Sequence, residues 1–261
     1  MKSKKLIPII ISAALILTSC QKSDPNINFY EYEDILSETG EAIGVKIIAC
    51  SLSNEEIRVP KTLDGKTVLK IGMKKISEGN YIGAFEGCPA DVKRIILPEG
   101  VDELEGSVFT DSISLQSVYL PESLEKMSGS AFAHCEGLTD ITVPENIKEL
   151  RGSDFLGCKS LETVELPEGL TYIGQQTFGG CSSLKKLKLP STVTDIDVYA
   201  FTGCTALEEV TLPEGLLSIE SMAFDCCDSL TDVTVPDTVE KIGRDAFNGC
   251  FDIVVHYRGL D

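Results

Sequence analysis

A proline recurs every 23 residues from residue 98 to residue 236, and a phenylalanine follows each proline eleven residues later. The prolines are Pro98, Pro121, Pro144, Pro167, Pro190, Pro213 and Pro236, and the phenylalanines are Phe109, Phe132, Phe155, Phe178, Phe201, Phe224 and Phe247. Such self-similarity is typical of an array whose units bury their apolar faces only by stacking on their neighbours. The period therefore predicts a solenoid, in which the ends and the coils form one continuous body.

Before each proline, the pattern L-x-x-V-x-L predicts a short strand, as at Leu115, Val118 and Leu120. Alternation places Val118 and Leu120 inward, and it places Ser117 and Tyr119 outward. Coils stacked in register make each such strand one rung of a parallel sheet. The proline ends the strand without removing a donor that the sheet needs, and we expect it at the second position of a type I turn.

A small residue usually precedes each repeat phenylalanine, as in Ala131-Phe132. This pairing predicts a short turn or helical piece packed closely on the core, with the rings stacked as a spine along the solenoid. Asp154 takes the small position in one coil. A buried carboxylate is costly unless it caps a local turn, so we expect that coil to deviate from the others.

Cysteines follow the phenylalanines at a fixed distance of three residues, except in the coil of Phe109, which has Ser112. They are Cys88, Cys135, Cys158, Cys181, Cys204, Cys227 and Cys250. Many cysteines in an exported chain often form a disulfide framework. Because these occupy one equivalent buried position, we predict instead a ladder of free thiols that act as small core residues with weak hydrogen bonds; paired disulfides are the alternative. A zinc site is disfavoured, since the ladder is linear and the chain has only two histidines.

The residue before each ladder cysteine is usually glycine, which predicts a left-handed cap at the end of the turn. His134 and Cys226 occupy this position in two coils, where we expect them to be strained substitutes on the surface. The alternatives are a catalytic pair of His134 with Cys135 and a redox pair of Cys226 with Cys227. Adjacent residues do not easily adopt the geometry of a nucleophile and its base, and no third member is suggested. We therefore predict no catalytic site.

The N-terminus has the pattern of an export signal in residues 1–19. Lysines precede an apolar stretch, and the segment Leu17-Thr18-Ser19-Cys20 resembles the lipobox of bacterial lipoproteins. The resemblance implies cleavage before Cys20, lipid on its sulfur, and a lipidated tether over residues 20–28; an ordinary secretory signal with an incidental cysteine is the alternative. About twelve apolar residues are too few to span a bilayer. We expect membrane contact only through the lipid anchor.

The formal net charge of the chain is -18, and it contains no tryptophan. An acidic surface repels phosphates, so the composition argues against nucleic acid and against docking on an anionic bilayer.

The full repeat, L-x-x-V-x-L-P-x-x-L-x-x-I-G-x-x-A-F-x-G-C, resembles the BspA-like leucine-rich repeat of bacterial surface proteins. The resemblance covers residues 59–250 and implies an α/β-type repeat solenoid of one irregular and seven regular units. Its 23-residue coils would place short parallel strands on a concave face, and short turns, 3-10 or helical pieces on the other. Extra residues in the first unit are expected in loops at 64–68 and 73–82. A β-hairpin would cap the array at residues 29–58 and a strand at 251–261.

The resemblance implies adhesion. Together with the export signal, it leads us to expect a monomeric lipoprotein that is anchored in the bacterial envelope and displayed at the cell surface. We expect it to bind a protein or a glycan and to need no cofactor or metal. A scaffold of the envelope without a dedicated ligand is the alternative. Leucine-rich repeats often bind on the concave sheet, so the candidate residues are the outward rows. These are Arg94, Ile96, Ser117, Tyr119, Asp140, Thr142, Thr163, Glu165, Lys186, Lys188, Glu209 and Thr211.

Charge varies along these rows, since the rung of Lys186 and Lys188 lies between rungs rich in glutamate. This alternation predicts modest cross-strand ion pairs on an otherwise solvated face. A further row, directly after the repeat prolines, is acidic in six coils: Glu99, Glu122, Glu145, Glu168, Glu214 and Asp237. It is open to three interpretations, namely solubilising turn residues, a weak strip for divalent cations, or an attractor for a basic partner.

Overall fold

The computed structural model of the chain describes residues 29–257, and all of its elements are β-strands. The predicted signal peptide, the lipidation site Cys20 and the tether lie outside the described residues. Successive coils stack in parallel register, which confirms the repeat solenoid. In residues 29–257, no helix is long and apolar enough to cross a bilayer.

Seven strands build the N-terminal end of the solenoid. They are β1 (Tyr30–Leu36), β2 (Ala42–Cys50), β3 (Glu56–Arg58), β4 (Thr62–Leu63), β5 (Lys66–Ile71), β6 (Met73–Ser77) and β7 (Asn80–Gly83). Strands β1 and β2 form an antiparallel hairpin, and β2 pairs in parallel with β5. The hairpin thereby covers the edge that the first coil would otherwise leave unpaired.

The segments expected to be loops in this region are hairpins. Strands β4 and β5 are antiparallel and meet at Asp64 and Gly65, whose φ angles are 53° and 75°. Strands β6 and β7 are also antiparallel, and their turn contains Gly79 with a φ of 79°. An Asp-Gly pair favours a two-residue turn because both positions need a positive φ. The prediction of loops at 64–68 and 73–82 is therefore wrong.

Each later coil contributes a longer strand, and every later coil except the last also has the repeat proline after that strand and a shorter strand after the proline. The longer strands are β8 (Arg94–Ile96), β10 (Ser117–Tyr119), β12 (Asp140–Thr142), β14 (Thr163–Glu165), β16 (Lys186–Lys188), β18 (Glu209–Thr211), β20 (Asp232–Val235) and β22 (Val254–Tyr257). The shorter strands are β9 (Glu103–Leu104), β11 (Lys126–Met127), β13 (Glu149–Leu150), β15 (Tyr172–Ile173), β17 (Asp195–Ile196), β19 (Ser218–Ile219) and β21 (Lys241–Ile242). The outward side of the longer strands is called the strand face below.

The phenylalanines stack face to face along the whole array, which confirms the predicted spine. Neighbouring ring centroids lie 4.9 to 5.5 Å apart, and the rings from Phe109 to Phe224 are fully buried. Stacked rings of this size contribute both apolar burial and a defined register. The spine therefore fixes how each coil sits on the next.

The predicted 3-10 or helical pieces are absent from the described residues, and the α/β class is corrected to a solenoid of strands and turns. In one coil the N–H groups of Ser153, Phe155 and Gly157 donate to carbonyls of the next coil at 2.7 to 2.8 Å. A helix would need these donors for carbonyls four residues back in the same coil. The turn segments use them between coils instead.

Left-handed backbone recurs two residues before each phenylalanine of the seven regular coils. These residues are Ser107, Ser130, Ser153, Gln176, Tyr199, Met222 and Asp245, with φ between 54° and 60°. None of them is a glycine, so each adds roughly 1 kcal/mol of conformational cost. The bonds between coils hold this strained conformation in place.

The proline turns differ by one position from the prediction. The carbonyl of Pro121 accepts from the N–H of Leu124 at 3.0 Å, and the same bond recurs in the other regular coils. The proline is therefore the first residue of the hydrogen-bonded turn rather than the second. Because proline lacks an N–H but keeps its carbonyl, it ends the strand and still closes the turn.

Candidate functional site

The predicted outward rows lie on the strand face. Ten of the twelve candidate residues are exposed, and Ile96 and Ser117 are half-buried. The intervening Val118, Ile141 and Leu187 are buried, in agreement with the predicted alternation. The structure thus brings the candidate side chains together on one continuous surface.

The strand ladder of this face is interrupted after β10, β14 and β18. Strands pair as β8 with β10, β12 with β14, β16 with β18, and β20 with β22. No ladder joins β10 to β12, β14 to β16 or β18 to β20, although the Cα atoms at these three breaks lie within 8 Å of each other.

The main-chain N–H groups directly after the longer strands show the same alternation from coil to coil. The N–H groups of Leu97, Val143 and Leu189 donate to the next coil at 3.1, 2.9 and 3.4 Å. The equivalent N–H groups of Leu120, Leu166 and Leu212, which face the breaks, make no such bond. The breaks therefore leave main-chain polar groups available to solvent or to a ligand.

Two of the breaks open into clefts of about 320 and 330 Å³. The first cleft, between β10 and β12, is lined by Ser117, Val118, Tyr119, Leu120, Glu122, Asp140, Ile141, Thr142 and Pro144. The second cleft, between β18 and β20, is lined by Glu208, Glu209, Val210, Thr211, Leu212, Glu214, Asp232, Val233, Thr234 and Pro236. Apart from Glu208, the second set repeats the first at equivalent positions four coils later.

The first cleft has an apolar floor and a polar rim. The Tyr119 hydroxyl donates to Oε1 of Glu99 at 3.3 Å, while its ring is 52% exposed. Partial desolvation and the nearby Glu99 carboxylate raise the pKa of Tyr119. Thr142 donates to Glu165 at 3.0 Å. The rim is thus held by cross-coil hydrogen bonds, and an aromatic ring faces solvent beside it.

Two acids of the second cleft contact neighbouring basic side chains. Lys186 Nζ lies 2.8 Å from Oε2 of Glu209, and Nε2 of His256 lies 2.9 Å from Oδ2 of Asp232. The bond to Glu209 raises the pKa of Lys186. The Lys186–Glu209 pair is the cross-strand ion pair that the charge alternation predicted.

The acidic row after the prolines has a structural task in two coils. Glu99 accepts from the N–H groups of Glu122 and Ser123, both at 3.3 Å, and Glu168 accepts from the N–H and the hydroxyl of Ser191 at 3.2 Å. These carboxylates cap the turn of the following coil, a role that the sequence did not indicate. Among residues 29–257, no cluster of three or more acidic, cysteine or histidine side chains is arranged to hold a metal ion.

The thiol ladder belongs to the core rather than to a site. All nine cysteines in the described part of the chain are unpaired, which confirms free thiols over disulfides. Each buried ladder thiol donates to a phenylalanine carbonyl of the preceding coil, as Cys158 does to Phe132 at 3.2 Å. Burial raises the pKa of Cys158 to about 12, so this thiol does not supply a thiolate near neutral pH.

In the two cysteine pairs weighed for catalysis, the thiols of Cys135 and Cys226 both have a raised pKa. Burial raises the pKa of Cys135, which donates to the Phe109 carbonyl at 3.0 Å, and the adjacent His134 is exposed. Cys226 is exposed, and partial desolvation and Asp225 raise the pKa of its thiol. His134 and Cys226 have φ angles of 59° and 56°, which confirms them as strained substitutes for the glycine cap.

Residues 74–205 and 130–254 match a family model described as the BspA type leucine-rich repeat region, which occurs here in six copies. Comparison with curated proteins gives no match. The fold is similar to the crystal structure of a T. pallidum leucine-rich repeat protein, with a TM-score of 0.67, 24% identity, and coverage of 87% of this chain and 89% of that one.

Two further solved structures have the same fold over a smaller part of their length. A leucine-rich repeat protein of Bacteroides ovatus gives a TM-score of 0.64 at 25% identity, with 87% of this chain and 63% of that chain covered. One of Eubacterium ventriosum gives 0.58 at 21% identity, with 80% and 62% covered. This chain therefore spans less than two thirds of either protein.

Proposed function

We propose a function from one premise: this chain belongs to the family of BspA type leucine-rich repeat proteins. Repeat solenoids of this kind are typically binding modules, because the stacked units create an extended surface on a rigid core. We infer that the chain binds a protein ligand through its strand face, which carries no catalytic role in this proposal.

One observation carries the proposal. The interior repeats almost unchanged from coil to coil, whereas the exposed positions of the strand face differ in charge and size. Tyr119, Thr142, Glu165 and Lys188 occupy one equivalent position in four successive coils, and all are exposed. Packing constrains the interior, so the variation on the strand face is available for specificity.

The proposal includes export and anchoring. Residues 1–19 would direct export, Cys20 would receive lipid, and the solenoid would act as a monomeric adhesion module on the bacterial surface. The net charge of -18 disfavours nucleic acid as the ligand. Replacing Cys20 with Ala should release the protein from the membrane fraction; membrane retention of that variant would contradict lipid anchoring.

The function is tested by screening the chain from residue 21 onward against surface proteins and glycans, together with two triple variants. The first carries Tyr119→Ala, Lys186→Ala and Lys188→Ala on the strand face. The control carries Tyr81→Ala, Lys61→Ala and Lys75→Ala, which remove the same side chains from exposed positions in the N-terminal region.

A protein ligand lost by the first variant and kept by the control would support the proposal, provided both variants melt like the parent. A ligand that is lost equally in both variants would place binding elsewhere. The absence of any ligand would favour a scaffold role in the envelope. Binding of a glycan rather than a protein on the strand face would contradict the protein ligand and show that the chain recognises glycans.

A further inference from the structure

We propose that the two clefts on the strand face are matched sites for two lysine or arginine side chains of one extended basic peptide. This inference rests on the proposed function of the strand face and specifies the partner. It is carried by the shape, the open main-chain acceptors, the charge and the spacing of the two clefts.

The shape of the clefts fits a long cationic side chain. In the first cleft, Val118, Ile141 and Pro144 form an apolar floor, and Glu122 and Asp140 stand at the rim. A lysine or arginine side chain has an aliphatic stem that packs on apolar surface and a charged end that needs acceptors. The equivalent floor of the second cleft consists of Val210, Val233 and Pro236.

The breaks also leave carbonyl groups facing the clefts. Where strands are paired, the carbonyl of Tyr119 accepts from the N–H of Leu97 in the preceding coil. The equivalent carbonyls of Thr142 and Thr234 receive no such bond, because Leu120 and Leu212 do not donate to them. Ammonium and guanidinium groups have only donors, so these carbonyls supplement the carboxylates as their partners.

Charge distinguishes the clefts from the break between them. No lysine or arginine lines either cleft, whereas β16 at the middle break carries Lys186 and Lys188. Within residues 29–257, Glu122 and Asp140 have no cation within 4.0 Å, so their negative charge is available to a partner. Lys186 already partly neutralises Glu209 in the second cleft, which predicts that the first cleft binds a cation more tightly.

The spacing sets the sequence that the peptide should have. The clefts are four coils apart, and ring spacings of 4.9 to 5.5 Å per coil place them about 20 Å from each other. An extended chain advances about 3.3 Å per residue, so the separation corresponds to about six residues. An even separation also places both side chains on the same side of the extended peptide.

The test uses synthetic serine-glycine peptides with two arginines at positions i and i+6, i+3 or i+7, and a peptide with one arginine. Affinity for the chain from residue 21 onward is measured by fluorescence anisotropy at physiological salt. We expect the i+6 peptide to bind at least about tenfold more tightly than the other three, because both clefts are then filled by one molecule. Equal affinity of all the two-arginine peptides would overturn the proposal and indicate nonspecific attraction.

Variants locate the binding. Glu122→Gln with Asp140→Asn alters the first cleft, and Glu208→Gln with Asp232→Asn alters the second. Each double variant should bind the i+6 peptide with about the affinity that the parent has for the single-arginine peptide. A control, Glu41→Gln with Glu78→Gln, removes the same charge from exposed positions near the N-terminus and should change little.

The outcomes separate this inference from the proposed function. Equal weakening by the control and the cleft variants would overturn the paired sites. If the ligand found on the strand face is an acidic protein, the strand face functions as proposed and the basic-peptide inference fails; if it is a neutral glycan, both the protein ligand and the basic peptide are ruled out. If neither the peptides nor any ligand bind the strand face, both proposals fail.

Discussion

The hydroxyl of Ser112 donates to the carbonyl of Phe85 at 2.7 Å, in the place where every other regular coil has a cysteine thiol. The next coil makes the corresponding bond from Cys135 to Phe109 at 3.0 Å. Oxygen and sulfur thus perform the same task at one position. The position requires a small buried donor for the spine carbonyl, rather than thiol chemistry.

This relationship predicts that the ladder accepts serine better than an apolar residue. Cys158→Ser should lower the stability by about 1 kcal/mol, since a donor to Phe132 remains. Cys158→Val should cost about 1 to 3 kcal/mol, because the Phe132 carbonyl keeps only its bond from the N–H of Cys135 and because the bulkier valine must fit a fully buried position. Thermal melts of both variants check the order, and a valine variant as stable as the parent would contradict it.

The thiols provide a second prediction, about reactivity. In a chain that starts after Cys20, Cys226 is the exposed cysteine of the described residues and should react first with an aromatic disulfide reagent at pH 8. Cys204 is fully buried and burial raises its pKa to about 12, so it should react only on unfolding, as should the fully buried Cys135, Cys158 and Cys181. Cys226→Ser should remove the fast phase. A melting temperature that falls with reductant would reveal disulfides and oppose free thiols.

The spine and the glycine caps could be predicted from the sequence, because each depends on a side chain or on a special backbone angle that recurs at a fixed position. The breaks on the strand face could not. Leu97 and Leu120 occupy the same position in equivalent apolar patterns before a proline, yet only Leu97 donates to the next coil. That difference lies in the main chain between coils. The alternation of apolar and polar residues therefore predicted the candidate rows, whereas the clefts could be found only in the structure.

The left-handed turn residues could not be predicted from the sequence either. Ser153 and Tyr199 share a left-handed backbone with five other residues, and the seven include serine, glutamine, tyrosine, methionine and aspartate, so residue type gave no consistent signal. The hairpin at Asp64 and Gly65 was different, since an Asp-Gly pair between alternating residues is itself a turn signal. The loop prediction missed information that the sequence contained.

A third prediction concerns the spine. Phe178→Ala should destabilise the protein by about 3 to 5 kcal/mol, because the fully buried Phe178 stacks between two rings. Phe247→Ala should cost less, since Phe247 is half-buried and stacks only on Phe224 among the described rings. Urea unfolding monitored by circular dichroism compares the two. Equal losses would mean that the ends and the centre of the array are equally packed.

A fourth prediction uses the strained cap positions. His134→Gly should stabilise the protein by up to about 1 kcal/mol, because glycine adopts its φ of 59° without the usual cost, partly offset by the entropy of the unfolded chain. The matched change in the next coil, Gly157→Ala, should destabilise it. The φ of Gly157 is 72°, and an added Cβ would lie 2.6 Å from Nδ1 of His134. If His134→Gly and Gly157→Ala shift the melting temperature in the same direction, this account is wrong.

The final prediction concerns pH and follows from Asp154, whose side chain is fully buried. Its Oδ1 accepts from the N–H of Ala131 in the preceding coil at 3.4 Å, and its Oδ2 has no hydrogen-bond partner. Burial raises the pKa of Asp154 to about 6, although backbone N–H groups of Ala131, Gly152 and Arg151 act in the opposite direction. This coil also adjoins the only junction among the regular coils of the described chain where both sheets lose their ladder, between β10 and β12 and between β11 and β13.

Because the folded pKa lies above the unfolded value of about 3.9, the folded state binds the proton more strongly. Stability should therefore be highest, with respect to this group, below pH 4 and should fall as the pH rises through 6, by an amount on the order of 3 kcal/mol. Asp154→Asn removes the ionisation and keeps the shape, so its melting temperature relative to the parent should rise between pH 4.5 and pH 8. Glu41→Gln, an exposed change, is the control. If the melting temperatures of the parent and the Asn variant change in parallel between pH 4.5 and pH 8, the prediction that burial raises the pKa of Asp154 is wrong.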